Sequence, residues 1–304
     1  TCRLLFDMVS ANKKVIHNRQ GSNLERGIAS SLALNFSVFG KTKCKLAIWE
    51  VDEATFPAVV TQTKPKIIVL LNLFRDQLDR YGEIDTIRAK WKKALEDQKK
   101  DSLLILNADD PGITTFAKSF VGKTIFYGVE DKVIALPKIE DTADVKYCLV
   151  CGAKLAYSSM FSSHMGHYSC TKCSFRRPTP NSKAREIKFL NDFFVSFHWE
   201  TAPNKINIKS GLPGLYNVYN TLAAATAASA LGVSPKSIKS KIETFTAAFG
   251  RYQKTTYQGK TIYTFLIKNP AGANETIRTI NSYKNKNMLI ALNDNVADGR
   301  DVSW

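Results

Sequence analysis

Three short apolar runs, each closing on acidic or amide residues, leave few architectures open to this chain. Leu46-Ala47-Ile48-Trp49 closes on Glu50, Asp52 and Glu53, and Ile67 to Leu71 on Asn72, Arg75, Asp76 and Asp79. Leu103 to Leu106 closes on Asn107, Asp109 and Asp110. Runs this short and this apolar read as strands covered on both faces. The first two are a helix's length apart, which predicts a βαβ unit in a parallel sheet. Ligands of such sheets bind beyond the carboxyl ends of the strands. The acids therefore stand where a phosphate-bound metal would sit; solvated loop acids are the alternative reading.

The flanking segments extend an α/β pattern. Thr1 to Met8 reads as a helix met in mid-course, and Val15-Ile16-His17 as a strand running into the turn-forming Asn18 to Asn23. Ile87 to Leu95, with Trp91 and Lys90, Lys92 and Lys93, is a basic amphipathic helix with a solvated face. Further strands are expected at Thr124 to Tyr127, Phe193 to Phe197, Lys205 to Ile208, Thr261 to Ile267 and Met288 to Leu292. An alanine-rich helix opens at Leu215 and carries Asn217 and Asn220 three positions apart, on one face near its start. That end of a helix attracts anions and nucleotides; capping asparagines are the alternative. Ser234-Pro235 starts another helix, and Arg251 beyond it suits a phosphate partner or a surface cation.

Between these halves the composition changes. Cys148-Leu-Val-Cys151 and Cys170-Thr-Lys-Cys173 are two C-x2-C knuckles with 18 residues between them. Paired knuckles supply the four thiolates of a tetrahedral structural zinc site, and the spacing matches a zinc ribbon. With four thiolates present, His164 and His167 read as packing or surface groups, and Cys2 and Cys44 as ordinary buried thiols.

The net charge of +16 suits nucleic acid, an anionic membrane surface or polyphosphate substrates. A ribbon beside Arg176 and Arg177 makes a zinc-ribbon nucleic-acid binder the main rival reading. The basic residues, however, are not interleaved with stacking aromatics, so no nucleic-acid partner is expected. No apolar run is long enough to span a membrane and no leader opens the chain, so a cytoplasmic location is the expectation. Gly40-Lys41-Thr42, Gly122-Lys123-Thr124 and Gly259-Lys260-Thr261 all lack the earlier glycine of a phosphate loop: Asn35, Ala117 and Lys254 stand there instead. They read as turns. A nucleotide enzyme of this kind would carry its phosphate loop ahead of Thr1, and both ends of the chain read as interior to a longer protein.

Taken in order, HNRQGSN (17–23), EVDEA (50–54), NLFRDQLDRYGEID (72–85), NADDP (107–111), the four-cysteine insert, YNVYNTLAA (216–224), FGR (249–251), KNPAG (268–272) and LNDNVADGRDVSW (292–304) resemble the Mur ligase family. Within it they resemble the synthetase subunits that amidate a peptidoglycan precursor. The resemblance implies an α/β central ATPase domain over 1–253 with the zinc ribbon inserted at 146–177. It also implies the start of a second, Rossmann-like domain over 254–304. It implies an ATP- and Mg2+-dependent ligase that phosphorylates the D-glutamate α-carboxyl of lipid II and transfers ammonia to it. The ammonia would come from a GatD-type glutaminase partner, with peripheral contact at the inner membrane surface allowed. Glu50 would then bind Mg2+, and Asn107, Asp109, Asn217 and Asn220 would line the nucleotide pocket. Arg251 would meet the phosphates, Cys148, Cys151, Cys170 and Cys173 would hold zinc, and Asp301, or else Asp298, would complete the partner's glutaminase site. An amino-acid-adding Mur ligase or a folylpolyglutamate-type ligase is the nearer alternative, without the expected ribbon.

Overall fold

The structure is a computed structural model, and it describes the chain except residues 12, 19–21, 75–83, 138–143, 247–251, 268–269, 284–286 and 292–304. The apolar runs form strands as expected. β1 (Val15–His17) and β2 (Leu46–Ile48) pair in parallel, Val15 opposite Leu46. β3 (Ile67–Leu70), β4 (Leu103–Asn107) and β5 (Lys123–Val129) are parallel neighbours. β8 (Ser182–Leu190) joins β5 in parallel, and β9 (Phe194–Thr201) and β10 (Asn204–Ser210) continue antiparallel. The resulting sheet has the order β10-β9-β8-β5-β4-β3.

One expectation is corrected here. β2 and β3 do not form a βαβ unit within one sheet: among the described residues β2 bonds only to β1, and β3 forms the edge of the six-stranded sheet. The intervening α3 (Phe56–Thr63) instead packs on α4 (Ile84–Glu96), burying Phe56 and Val60 against Trp91 and Leu95. The strand expected over Met288 to Leu292 is not seen in its described part: residues 287–291 hold no regular structure, Leu289 and Ile290 are exposed, and Leu292 lies outside the described residues.

Successive β4 side chains explain why its sequence does not alternate. Leu104 and Leu106 join Phe56, Trp91 and Leu95 on one face. Ile105 points the other way, into a core shared with α1 (Cys2–Val9), α6 (Leu215–Ala230) and α7 (Pro235–Thr244). Both faces are covered, so both sets are apolar. In α6, Ala223, Ala224, Ala225, Ala227 and Ala228 are buried all round the helix, and side chains this small let it lie close to both the sheet and α1. Leu4, Leu5, Met8 and Val9 give α1 one apolar face.

α2 (Glu25–Ala33) follows β1, and the four-residue α5 (Pro111–Thr114) follows β4, capped by Asp110. β6 (Leu155–Ser162) and β7 (Met165–Cys170) form the hairpin of the cysteine-rich insert. β11 (Tyr252–Tyr257) and β12 (Lys260–Phe265) form a second hairpin, turned by Gln258 and Gly259, both at positive φ. The Gly259 triplet is thus a turn. So is the Gly40 triplet, where Gly40 N–H reaches Ser37 O at 2.9 Å. α8 (Pro270–Asn281) follows.

Candidate functional site

Asn18, at the end of β1, is 2% exposed and locks the neighbouring strand end. Its Nδ2 donates to the Glu50 carbonyl at 2.7 Å, its Oδ1 accepts from the Glu50 N–H at 2.8 Å, and Nδ2 also reaches Ser22 O at 2.7 Å. The backbone of Glu50 is therefore pinned on both sides. Its carboxylate is exposed and has no partner among the described residues. A fixed backbone carrying an unengaged carboxylate beyond a strand end suits a hard cation such as Mg2+. Asn18 is a residue that sequence reasoning left inside a generic turn.

The start of α1 lies between this strand end and α6. Cys2 Sγ approaches the Trp49 carbonyl at 3.7 Å, and Thr1 Oγ1 donates to Asn220 Oδ1 at 2.9 Å. Asn220 Nδ2 then points to Asn217 Oδ1 at 3.4 Å, and Asn217 Nδ2 to Pro213 O at 2.7 Å. The N-cap of α6 is Gly214, at φ +85°, so neither asparagine occupies the capping position. Burial lifts the Cys2 thiol to about 11, and Glu50 adds to the rise. Glu50, Asn217 and Asn220 are thus gathered round the first turn of α1.

Asn107 and Asp109 lie deeper, both fully buried at the end of β4. Asn107 Oδ1 accepts from Asp109 N–H at 3.0 Å, and its Nδ2 faces Met165 Sδ at 3.4 Å. Asp109 Oδ1 receives Arg177 Nε at 2.5 Å, while Oδ2 receives Val129 N–H at 2.8 Å and the Tyr219 hydroxyl at 2.7 Å. Arg177 also holds Glu130 Oε1 at 2.6 Å. Burial pushes the Asp109 carboxyl upward against the pull of Arg177, but three donors converging on its two oxygens hold it as a carboxylate. Burial raises Glu130 too, yet there the hydrogen bond and charge of Arg177 prevail and hold it below the usual carboxylate range. Asp110 caps α5 through Gly112 N–H at 2.6 Å and accepts Leu73 N–H at 3.0 Å. Arg251, Asp298 and Asp301 lie outside the described residues.

The insert forms the ribbon that its cysteines announce. Cys148 Sγ is 3.6 Å from Cys173 Sγ and Cys151 Sγ 3.4 Å from Cys170 Sγ, and all four sulfurs lie within 4.8 Å of one another. Four thiols at this separation fit a tetrahedral zinc with Zn–S bonds of about 2.3 Å. Neither histidine joins them. His164 is fully buried, its ring 4.8 Å from Phe74 and its Nε2 3.3 Å from Asp110 Oδ1, and His167 Nε2 meets Val129 O at 2.8 Å. Cys2 and Cys44 are only half-buried.

Residues 1–168 match the sequence profile of the Mur ligase middle domain, and residues 266–304 that of the MurT ligase C-terminal region. The chain is 32% identical over its whole length to the lipid II isoglutaminyl synthase (glutamine-hydrolyzing) subunit MurT of Staphylococcus aureus, spanning 67% of that protein. To the subunit of the same name from Streptococcus pneumoniae it is 30% identical over 96% of its length, spanning 63% of that protein. Among solved structures, a pseudomurein peptide ligase type C from Methanothermus fervidus superposes with a TM-score of 0.71 at 26% identity. That match covers 91% of this chain and 53% of the ligase. The chain belongs to the Mur ligase family and, within it, to the MurT group.

Proposed function

We propose that this chain carries the nucleotide-binding core of an amide ligase that amidates the D-glutamate α-carboxyl of lipid II, with ATP as phosphoryl donor. The observation that carries the reading is the whole-length similarity to the MurT subunits, joined to the cluster of Glu50, Asn217 and Asn220 about the start of α1. The chemistry runs in two steps. A carboxylate oxygen of the substrate attacks the γ-phosphorus and ADP leaves. Ammonia then attacks the acyl carbon, phosphate departs, and the nitrogen sheds a proton. The first step joins two anions, so it needs positive charge and fixed dipoles where the negative charge gathers.

Within this reading Glu50 holds Mg2+, which when bound neutralises phosphate charge. Asn18 keeps Glu50 in place by gripping its backbone. Asn217 and Asn220 offer amide hydrogens to the nucleotide from one face of α6, where the helix start favours an anion. Arg251 meets the phosphates. Asn107 and Asp109 act from beneath, and Asp109 fixes α6 through Tyr219. The ribbon cysteines hold zinc as a closed structural site. Ammonia comes from a GatD-type glutaminase subunit, to whose site Asp301 contributes a carboxylate. The enzyme works in the cytoplasm on a lipid-linked substrate, and no helix among the described residues is long and apolar enough to cross a membrane. The excess of lysine and arginine suits a pyrophosphate-bearing substrate on an anionic surface.

The test is the protein expressed from its complete gene with a candidate glutaminase, assayed for glutamine- and ATP-dependent amidation of lipid II by mass. The expected product is about one mass unit lighter, since –NH2 replaces –OH. Glu50→Ala abolishes it with either nitrogen source. Asp301→Asn abolishes it with glutamine and retains it with free ammonia. No mass change in the wild-type complex, or full activity in Glu50→Ala, would refute the assignment.

A further inference from the structure

The cysteine-rich ribbon reaches the candidate site, and three of the four buried residues of the Asn107–Asp110 loop face a residue of it. Asn107 faces Met165 at 3.4 Å, the Asp109 carboxylate takes Arg177 at 2.5 Å, and Asp110 lies 3.3 Å from His164. The backbone joins as well, with Gly166 N–H donating to Asp109 O at 2.8 Å. Just beyond the loop, the Tyr168 and Thr114 hydroxyls lie 2.5 Å apart. The β6–β7 turn is not a solvated hairpin end: Ser163 and His164 are both 0% exposed. The loop is thus seated on the ribbon as well as on its own sheet.

Arg177 links this seat to the thiol cluster. It lies four residues after Cys173, on a segment that folds back along β7: Cys170 N–H donates to Phe175 O at 2.7 Å and Arg177 N–H to Tyr168 O at 3.0 Å. The position of the second knuckle therefore sets the position of the guanidinium. The glycine beneath marks how tightly the pair is held. A Cβ on Gly128 would lie 3.0 Å from Arg177 Nη2 and 3.1 Å from both Asp109 carboxylate oxygens. From Asp109 the contact passes to Tyr219 at 2.7 Å, which stands on α6 between Asn217 and Asn220.

We propose that the ribbon is a positioning element for the nucleotide site. With its four thiolates held together it presents Arg177 to Asp109, and Asp109 through Tyr219 fixes α6, the helix that carries Asn217 and Asn220. Arg177 is the positioning residue. The proposal rests on the nucleotide reading of those asparagines, and it goes beyond a ribbon that merely stiffens an insertion. Coupling of this kind requires a direct thermodynamic test, since spatial continuity alone does not establish it.

The experiment uses the full-length protein with zinc bound. It measures Mg-ADP affinity by calorimetry, zinc content, and hydrogen exchange in peptides covering 103–114 and 215–222. Arg177→Met should weaken Mg-ADP at least about tenfold and speed exchange in both peptides while keeping one zinc per chain. Arg177→Lys, which keeps the charge and loses the fork, should recover part of both effects. Cys170→Ser/Cys173→Ser should produce the same changes as Arg177→Met, and joining all three substitutions should add little more. Zinc loss that leaves both peptides and the affinity unchanged would overturn the proposal. So would effects of the arginine and the cysteines that simply sum. Asn217→Ala and Asn220→Ala tell its failure from that of the nucleotide reading. If neither weakens Mg-ADP, the nucleotide reading falls, and exchange in 215–222 on zinc removal still decides whether the ribbon fixes α6.

Discussion

Replacing Arg177 by leucine isolates what the buried pair contributes to the fold. Asp109 is 0% exposed, and the Arg177 side chain is 10% exposed. Without Arg177, Asp109 keeps only Val129 N–H and the Tyr219 hydroxyl, and Glu130 loses its partner at 2.6 Å. Stranding one member of a buried pair costs about 3–5 kcal/mol. For a chain of this size each kcal/mol corresponds to roughly 2–4 °C in Tm. The carboxyl has one escape. Burial already holds it above its ordinary value, so once Arg177 is gone the folded-state pKa rises further above the unfolded value, and protonation relieves the charge. For an acid whose folded pKa is raised, stability grows as pH falls toward that pKa. The variant should therefore recover stability between neutral pH and the ordinary carboxylate range, by about 1.4 kcal/mol for each pH unit within the shifted window. The wild type, in which Arg177 opposes the rise, should show a smaller recovery. Adding Asp109→Leu to Arg177→Leu removes the stranded charge and should restore part of the loss at neutral pH. Urea denaturation of wild type, the single variants and the double variant at several pH values checks this. A single-variant loss under about 1 kcal/mol, with no pH slope, would show that the pair is not held in the environment described.

Other outcomes follow from the same contacts. Glu130 is held below the usual carboxylate range by Arg177, so its contribution is complete above about pH 4.3 and lost as pH falls through the lower folded value. Acid titrations should show a shallower low-pH loss in Glu130→Gln. Chelation of the ribbon's zinc should make four thiols accessible to a thiol reagent and lower Tm; a ribbon that keeps its stability under strong chelators would contradict a metal-held site of four cysteines. Gly128→Ala should destabilise by about 1–3 kcal/mol through crowding of the Arg177–Asp109 pair, whereas Gly152→Ala, which meets nothing within 4 Å but sits at φ +74°, should cost only backbone strain. Asn18→Ala unpins Glu50 and should weaken Mg2+-dependent nucleotide binding in calorimetry while leaving Mg2+-independent binding nearly unchanged.

What could be read from the sequence divides along a physical line. β3 and β4 were visible because strands covered on both faces must be apolar at every position, and β2 showed the same apolar run although Ala47 is exposed. The four-thiol cluster was visible because each knuckle places two ligands through local turn geometry alone. Glu50 stood at a strand end for the same local reason. The pairing of strands was less legible: nothing in Leu46 to Trp49 says that it bonds to Val15–His17 rather than joining the sheet of Ile67–Leu70, since sheet partners are chosen by the whole packed core. Arg177 illustrates the limit best. Beside a ribbon it entered only the rival nucleic-acid reading, yet its partner lies 68 residues earlier at the end of β4. The local signals for that pairing were only an aspartate doublet before Pro111 and a glycine at 128, each with ordinary turn explanations. Tyr219 was equally hidden, because a tyrosine between two candidate asparagines reads as core until its hydroxyl is found on Asp109. Arg177 and His164, to which the sequence gives no partner, are therefore the residues by which the structure ties the insert to the strand end, and an insert joined through a buried ion pair cannot shift without moving the loop that it grips.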